Sequence, residues 1–218
     1  MVMQRDKVEA ILQALRAAYP GARSRLKYGN AFELLVAAIL SSQTTDDQVN
    51  RVTAELFRRY PTAAALAAAD PEEVAACIKS LGLYQMKAAH LVAACRILVR
   101  EYGGRVPDNL EDLLRLPGVG RKVANVVLSN AFGRDVIAVD THVFRVANRL
   151  GLARAGDVLE TEKQLMAILP PGTRGEAHHL LIHHGRAVCR ARRPECRQCV
   201  VSSYCSDADH KSLGKASQ

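Results

Sequence analysis

The chain has 218 residues, 49% of them hydrophobic, enough to bury a core as one domain or two small lobes and too many for general disorder. Lys and Arg number 30 against 22 Asp and Glu, a formal charge of +8 with a pI near 9.4, which favours a polyanionic partner, nucleic acid first. A membrane surface is the rival partner for a basic chain, but no apolar stretch approaches the ~20 residues of a membrane span. Met1-Val2-Met3-Gln4-Arg5-Asp6 turns polar too early for a secretory signal, so a cytoplasmic place is expected. Thiols stay reduced there, and six cysteines need not mean three disulfides.

Taken in chain order, the pattern predicts helices almost throughout. Val8, Ile11, Leu12 and Leu15 share one helical face, closed by Tyr19-Pro20-Gly21. Phe32, Leu35, Val36 and Ile39 form a second stripe that ends at Ser41-Ser42-Gln43-Thr44. Thr45 caps a third helix bearing Val49, Val52 and Leu56. Asp70-Pro71-Glu72-Glu73 combines a cap, a first-position proline and first-turn acids, and Gly82 is expected to close that helix. Leu83-Tyr84-Gln85-Met86 opens a long helix that stops at Gly103-Gly104, and a short one covers Leu110 to Leu114. A helix then runs from Arg121 to Phe132. Val136 to Val139 has strand propensity but nothing nearby to pair with, so a buried connector before the helix at Thr141 is expected. Further helices are predicted near 159–169 and 176–189, with a frayed tail after Cys205. The predicted class is all-α.

The densest signal is Leu116-Pro117-Gly118-Val119-Gly120-Arg121-Lys122. Pro117 and two glycines make a tight turn that exposes backbone N–H groups where a helix begins, a place suited to a phosphate oxygen. Arg121 and Lys122 follow, where the helix dipole disfavours cations. A free lysine, with a pKa of about 10.4, is almost wholly protonated at neutral pH and cannot attack. A helix start and a cationic neighbour both disfavour the ammonium form, and Lys122 has both, the setting for an amine that forms a Schiff base with a sugar carbon. The plainer role is a phosphate clamp, and on local residues alone the clamp stands slightly ahead.

Asp140 shifts that weight. It follows an apolar run and precedes Thr141-His142-Val143-Phe144-Arg145, the place of a helix N-cap. Capping is the usual job of such an aspartate. A capping carboxylate held ionised can also stabilise positive charge growing on a sugar as a base departs, so the two roles are compatible.

Cys189, Cys196, Cys199 and Cys205 make C-x6-C-x2-C-x5-C, which implies an iron–sulfur cluster or a metal. Structural zinc usually shows two short C-x2-4-C pairs and this segment has one, so iron–sulfur is favoured and zinc stays open. Arg186, Arg190, Arg192, Arg193 and Arg197 make the loop basic, fitted either to a DNA backbone or to offsetting thiolate charge. His179 and His183 have metal-ligand spacing, but no carboxylate at zincin spacing accompanies them. His178, His179, His183 and His184 therefore read as packing and hydrogen-bonding residues beside the cysteine loop, and Cys77 and Cys95 as core thiols.

These motifs, in this order, resemble the endonuclease III family of helix-hairpin-helix DNA glycosylases, over residues 28–205. Leu116 to Lys122 is similar to that family's hairpin with its nucleophilic lysine, and Val139-Asp140-Thr141-His142 to its catalytic-aspartate segment. The four cysteines have the spacing of its [4Fe-4S] cluster. Leu40-Ser41-Ser42-Gln43-Thr44-Thr45-Asp46 is similar to the loop whose glutamine enters the gap left by an extruded base, and Leu83 to the leucine that wedges the opposite strand.

The resemblance implies two all-α lobes with a cleft between them. Residues 24–133 would form a six-helix barrel with the hairpin, and 1–23 with 134–218 an iron–sulfur lobe, with Lys122 and Asp140 facing each other. It implies a monomeric, cytoplasmic, nucleoid-associated repair enzyme of a prokaryotic cell. The implied substrate is double-stranded DNA carrying damaged bases or abasic sites. Contacts would come from Gln43, Leu83, Gly118, Val119, Gly120, Arg121 and His142. The implied reaction is base flipping, attack by Lys122, loss of an oxidised pyrimidine aided by Asp140, and β-elimination. Ser42 and Asp135 depart from the commonest pattern and leave the lesion range open.

Other readings are a monofunctional adenine glycosylase, a non-catalytic DNA-binding module and a small iron–sulfur electron carrier. The first lacks a lysine at the position of Lys122 and carries an extra recognition domain, whereas only thirteen residues follow Cys205 here. The other two give Asp140 and Gln43 no role.

Overall fold

A computed structural model describes residues 2–206, with side chains from residue 5 onward; the frayed tail expected after Cys205 lies, from residue 207, outside the described residues. Eleven α-helices and two 3₁₀ turns, with no strand, make up the described residues. No helix among them is long and apolar enough to cross a membrane. The chain divides into two compact units, one of residues 25–134 and one formed by residues up to 24 together with those from 135 on.

The continuous unit is built around α2 (Ala31–Leu40), in which every residue from Leu34 to Leu40 is buried. A helix apolar on all sides is stable only when surrounded. It packs against α3 (Asp46–Arg59), α6 (Tyr84–Tyr102) and α8 (Arg121–Phe132). Between them come α4 (Ala63–Ala68) and α5 (Pro71–Cys77), both packed on α6, and α7 (Leu110–Leu114) against α8. Local signals set most of these boundaries. Thr45 accepts a hydrogen bond from the Gln48 amide, Thr62 from Ala65, Asp70 from Glu72 and Asn109 from Asp112. Each satisfies an amide that has no partner within its helix.

Two expectations change. Gly82 does not close α5, which stops at Cys77 with Ile78 as its C-cap; Gly82 sits in the following turn. The Ile78 amide already closes on Val74 and Ala75, and Ile78 is wholly buried, so the core ends this helix before the glycine is reached. Helix α4 was not predicted. Five of its six residues are alanine, which gives good helix propensity but no apolar stripe to read.

In the discontinuous unit, α1 (Val2–Ala18) presents Val8, Ile11, Leu12 and Leu15 to one apolar cluster. That cluster also takes Val143, Val146, Ala147 and Leu150 of α9 (Thr141–Leu150), Leu165 of α10 (Val158–Ile168), and Ala177, Leu180 and Leu181 of α11 (Arg174–Ala187). Arg16 fastens α1 to α11 through a forked pair with Glu176, its Nε 3.0 Å from each carboxylate oxygen and its Nη2 2.9 Å from Oε2. Val136 to Val139 form the expected connector and no strand, with Ile137, Ala138 and Val139 in the core.

Candidate functional site

The 116–120 turn is held from within. Leu116 donates its amide to the Leu113 carbonyl at 3.1 Å, and Val119 to that of Leu116 at 3.0 Å. Gly118 has φ +80°, and a Cβ there would stand 3.1 Å from the His90 Cβ and 3.2 Å from the Ile39 Cγ2, so backbone angle and space both require glycine. Val119 is buried and its amide is used, so it shapes the turn from inside. Among the described residues no acceptor takes the Gly118 or Gly120 amide, which leaves two outward donors.

Gly120 is the N-cap of α8 and supplies no side-chain cap, and no acid stands in that first turn. The helix opens instead on exposed Arg121 and half-buried Lys122. An N-terminus with positive dipole, open amides and two cations is arranged for an anion.

Gln43 and Leu83 are both exposed, Leu83 by 54%, and both are non-glycine residues with positive φ, at 53° and 57°. The left-handed conformation costs an L-residue roughly 1–2 kcal/mol, and such strain persists only where surrounding structure imposes it. Leu83 occupies the N-cap position of α6 with no side-chain cap, and its carbonyl accepts the Lys87 amide at 3.0 Å. Lys87, only 3% exposed, sends its ammonium to the Leu40 carbonyl (2.9 Å), the Ser42 carbonyl (2.8 Å) and the Thr44 Oγ1 (2.8 Å). The two projecting residues are thereby tied to one buried lysine, which the sequence reading missed.

In the other unit Asp140 is the N-cap of α9. Its Oδ1 accepts from the amides of both His142 and Val143, each at 2.8 Å, while Oδ2 takes no part in the cap. The connector leading to it is pinned twice. His178 donates from Nδ1 to the Ala138 carbonyl at 2.7 Å. Asp135 accepts from the Gly172 amide at 2.8 Å and from Arg174 Nη1 at 2.6 Å, which gives this residue a structural job.

Half-buried His142 takes a hydrogen from Arg145 Nη2 on its Nδ1 at 3.0 Å. Burial pushes its pKa down, an effect opposed by Asp140 and by a hydrogen bond to the Gly185 backbone and aided by Arg145 and Arg186. Gly185 of α11 lets the helices approach here, since a Cβ would meet the His142 Cβ at 3.1 Å.

All six cysteines are free thiols. Among the described residues no three His, Cys, Asp or Glu side chains are grouped closely enough to hold a metal ion. Cys189, Cys196, Cys199 and Cys205 nevertheless share one neighbourhood. Burial raises the Cys199 pKa, and the charges of Cys189, Cys205 and Cys196 push it the same way. Cys189, Cys199 and Cys205 pack on the apolar cluster of their unit. Arg149 Nη1 stands 3.5 Å from the Cys189 sulfur and 2.8 Å from the Arg190 carbonyl, and Arg145 binds the Cys189 and Gly185 carbonyls. Two arginines of α9 thus frame the loop, a donor set and charge balance that fit a thiolate-bound cluster.

All four histidines pack against other rings, and His178 and His184 hydrogen-bond as well. Besides His178, His184 meets the Tyr19 hydroxyl at 3.0 Å and the Cys199 sulfur at 3.5 Å, and burial holds its pKa down at about 4. His178 and His179 stack edge to face, and His183 lies beside Tyr19. Cys95 is buried on α6 with its thiol pKa pushed up to about 12 by burial, a core thiol.

The described residues are all-helical, and a glycine turn feeds an open helix start, the arrangement of a helix-hairpin-helix protein. Residues 36–171 match the family described as "HhH-GPD superfamily base excision DNA repair protein", and the chain belongs to that superfamily. Within it, the chain is 46% identical over 210 residues, 95% of each chain, to endonuclease III of Synechocystis sp.. Two solved structures, each 42% identical, superpose closely. One is a non-covalent endonuclease III–DNA complex (TM-score 0.90, 96% of this chain and 98% of that one). The other is a trapped endonuclease III–DNA covalent intermediate (TM-score 0.89, 95% and 98%).

Proposed function

We propose that this chain excises oxidised pyrimidines from duplex DNA and then nicks the strand, with Lys122 as nucleophile and Asp140 as the stabilising charge. As a base excision repair protein of endonuclease III type, it is a DNA glycosylase with AP lyase activity. The observation that carries the residue assignment is the start of α8, where Lys122 stands without a capping side chain or a first-turn acid. The chemistry follows from the groups. The neutral Lys122 amine attacks the sugar carbon bearing the base, and the glycosidic bond breaks with its electron pair leaving on the base. Asp140 lowers the energy of the positive charge that develops on the sugar and relays the amine proton. Ring opening gives an imine; loss of the adjacent carbon's proton then expels the 3′ phosphate. Duplexes carrying single lesions, assayed for incision beside an undamaged duplex, test the reading. Release and nicking of oxidised pyrimidines are expected, and incision confined to other damage overturns the substrate assignment.

In this reading the unit 25–134 is the helical barrel and the other unit the cluster domain of a cytoplasmic, nucleoid-associated monomer. Gly118, Gly120 and Arg121 grip phosphate around the lesion, Val119 shapes the turn, and His142 contacts the DNA from the start of α9. Gln43 and Leu83 fill the hole left by the flipped base, which otherwise costs a few kcal/mol in lost stacking. Gln43→Ala and Leu83→Ala should fold normally and slow excision from paired duplex, yet largely spare nicking at a preformed abasic site. Equal losses on both substrates with a lowered Tm would assign them to the scaffold.

Cys189, Cys196, Cys199 and Cys205 would hold a [4Fe-4S] cluster. Bound, it supplies a covalent clasp for 189–205 and one-electron redox capacity. Arg145 and Arg149 keep the loop on α9 and offset the thiolate charge. The purified protein should be brown and contain iron and sulfide, and Cys199→Ser should lose both along with much of its solubility or DNA binding. One zinc and no iron on metal analysis would overturn this.

A further inference from the structure

Lys87 is the one buried cation of the unit 25–134 among the described residues, and the mechanism above does not use it. An ammonium has three protons. Here all three are committed, to the Leu40 carbonyl, the Ser42 carbonyl and the Thr44 hydroxyl. No Asp or Glu among the described residues pairs with it, and burial pushes its pKa down. A charge so placed is costly, and a methionine would fill the same volume without that cost.

Part of the compensation is a helix end. Leu40 is the last residue of α2, whose final turn contains no basic side chain, and a cation at a C-terminus meets orphan carbonyls and the negative end of the dipole. The other two contacts lie beyond the helix. They fall on Ser42 and Thr44, the residues on either side of Gln43, which is held at φ +53°. The backbone amide of the same lysine binds Leu83, held at φ +57°. That amide bond is the first i→i+4 bond of α6, which any residue at 87 makes; what the lysine adds is a side-chain link that ties the Gln43 loop to the helix start at Leu83. A side chain that must enter a base stack needs placement to within about 0.5 Å, which a loop secures only when its support is rigid.

We propose that Lys87 is a positioning residue that fixes Gln43 and Leu83 as one rigid two-pronged probe, so that both enter the duplex together as a base is extruded. The inference rests on the insertion role given to Gln43 and Leu83 above. It assigns Lys87 no contact with DNA and no part in bond breaking.

Four variants of the full chain test it: Lys87→Met, Thr44→Val, Gln43→Ala and Leu83→Ala. Each is assayed for single-turnover excision from paired lesion duplex, nicking of a preformed abasic site, Tm, and the fluorescence of 2-aminopurine placed beside the lesion. Lys87→Met should slow excision by about a hundredfold, the scale of a 1 Å misplacement. Thr44→Val removes the Lys87 contact and the hydroxyl's own 3.2 Å bond to the Ser42 carbonyl, and should slow excision about tenfold with Tm lowered by a few degrees. Both should weaken the flipping signal and change abasic nicking by less than about twofold. Equal slowing on both substrates, or none, makes Lys87 a helix cap and overturns the proposal. If Lys87→Met does not fold, Thr44→Val decides by the same criteria. Substrate-selective losses in Gln43→Ala and Leu83→Ala without them in Lys87→Met and Thr44→Val overturn the positioning role alone. No selectivity in Gln43→Ala and Leu83→Ala overturns the insertion role, and the positioning role with it.

Discussion

Lys122→Gln should bind lesion duplex about as well as the wild type while losing both borohydride trapping and strand nicking. Glutamine nearly matches the length of the stem and can donate a hydrogen bond, but its amide nitrogen has no available lone pair. With the covalent nucleophile gone, a fall in rate of about 10⁴-fold or more is expected. A Tm measured beside the kinetics separates loss of chemistry from unfolding. The positive end of the dipole at the start of α8 does not favour a cation, so the substitution removes no charge that the first turn itself stabilises. Persistent trapping would show that another amine attacks; Lys87 is a poor candidate, since its three protons are bound within the protein.

Asp140→Asn should bind well and excise poorly, by about 10²–10³-fold, the scale of one lost electrostatic stabiliser. The substitution separates two jobs of one side chain. The cap uses only Oδ1, which receives both the His142 and Val143 amides, and an asparagine oxygen caps about as well. The negative charge is what disappears. Asp140→Ala would confound the two by adding about 1 kcal/mol of lost capping. Excision by Asp140→Asn near the wild-type rate would leave Asp140 as a cap alone.

What the sequence made legible was local. Thr45, Asp70 and Asp140 could be read as caps because each bonds an amide two or three residues ahead, within the window that a pattern covers. Gly118 could be read as a turn residue because its angle is a property of one position. The pins were not legible, because they join residues about forty apart in sequence: Lys87 to 40–44, His178 to Ala138, and Arg145 and Arg149 to 185–191. One clue was available. Lys87 shares the helical spacing of Leu91 and Leu98, so a lysine stands on the apolar stripe of α6, where only a buried acceptor set justifies it. The ending of α5 at Ile78 was hidden for another reason, because burial of a side chain against distant helices settled it.

The division of the chain also fixes an order of events during synthesis. Val8, Ile11, Leu12 and Leu15, on one face of α1, leave the ribosome well before their partners on α9, α10 and α11, which are made only after residue 134. At ~5–20 residues per second, that face waits on the order of ten seconds for cover. The intervening 25–134 contains its own core and can fold in that interval. Its folding turns what would be a floppy loop, costing roughly 4 kcal/mol to close, into a preformed spacer. The newborn chain must therefore shield a short amphipathic helix until residues beyond 134 are translated, and a holdase that binds nascent amphipathic segments would find its target in α1.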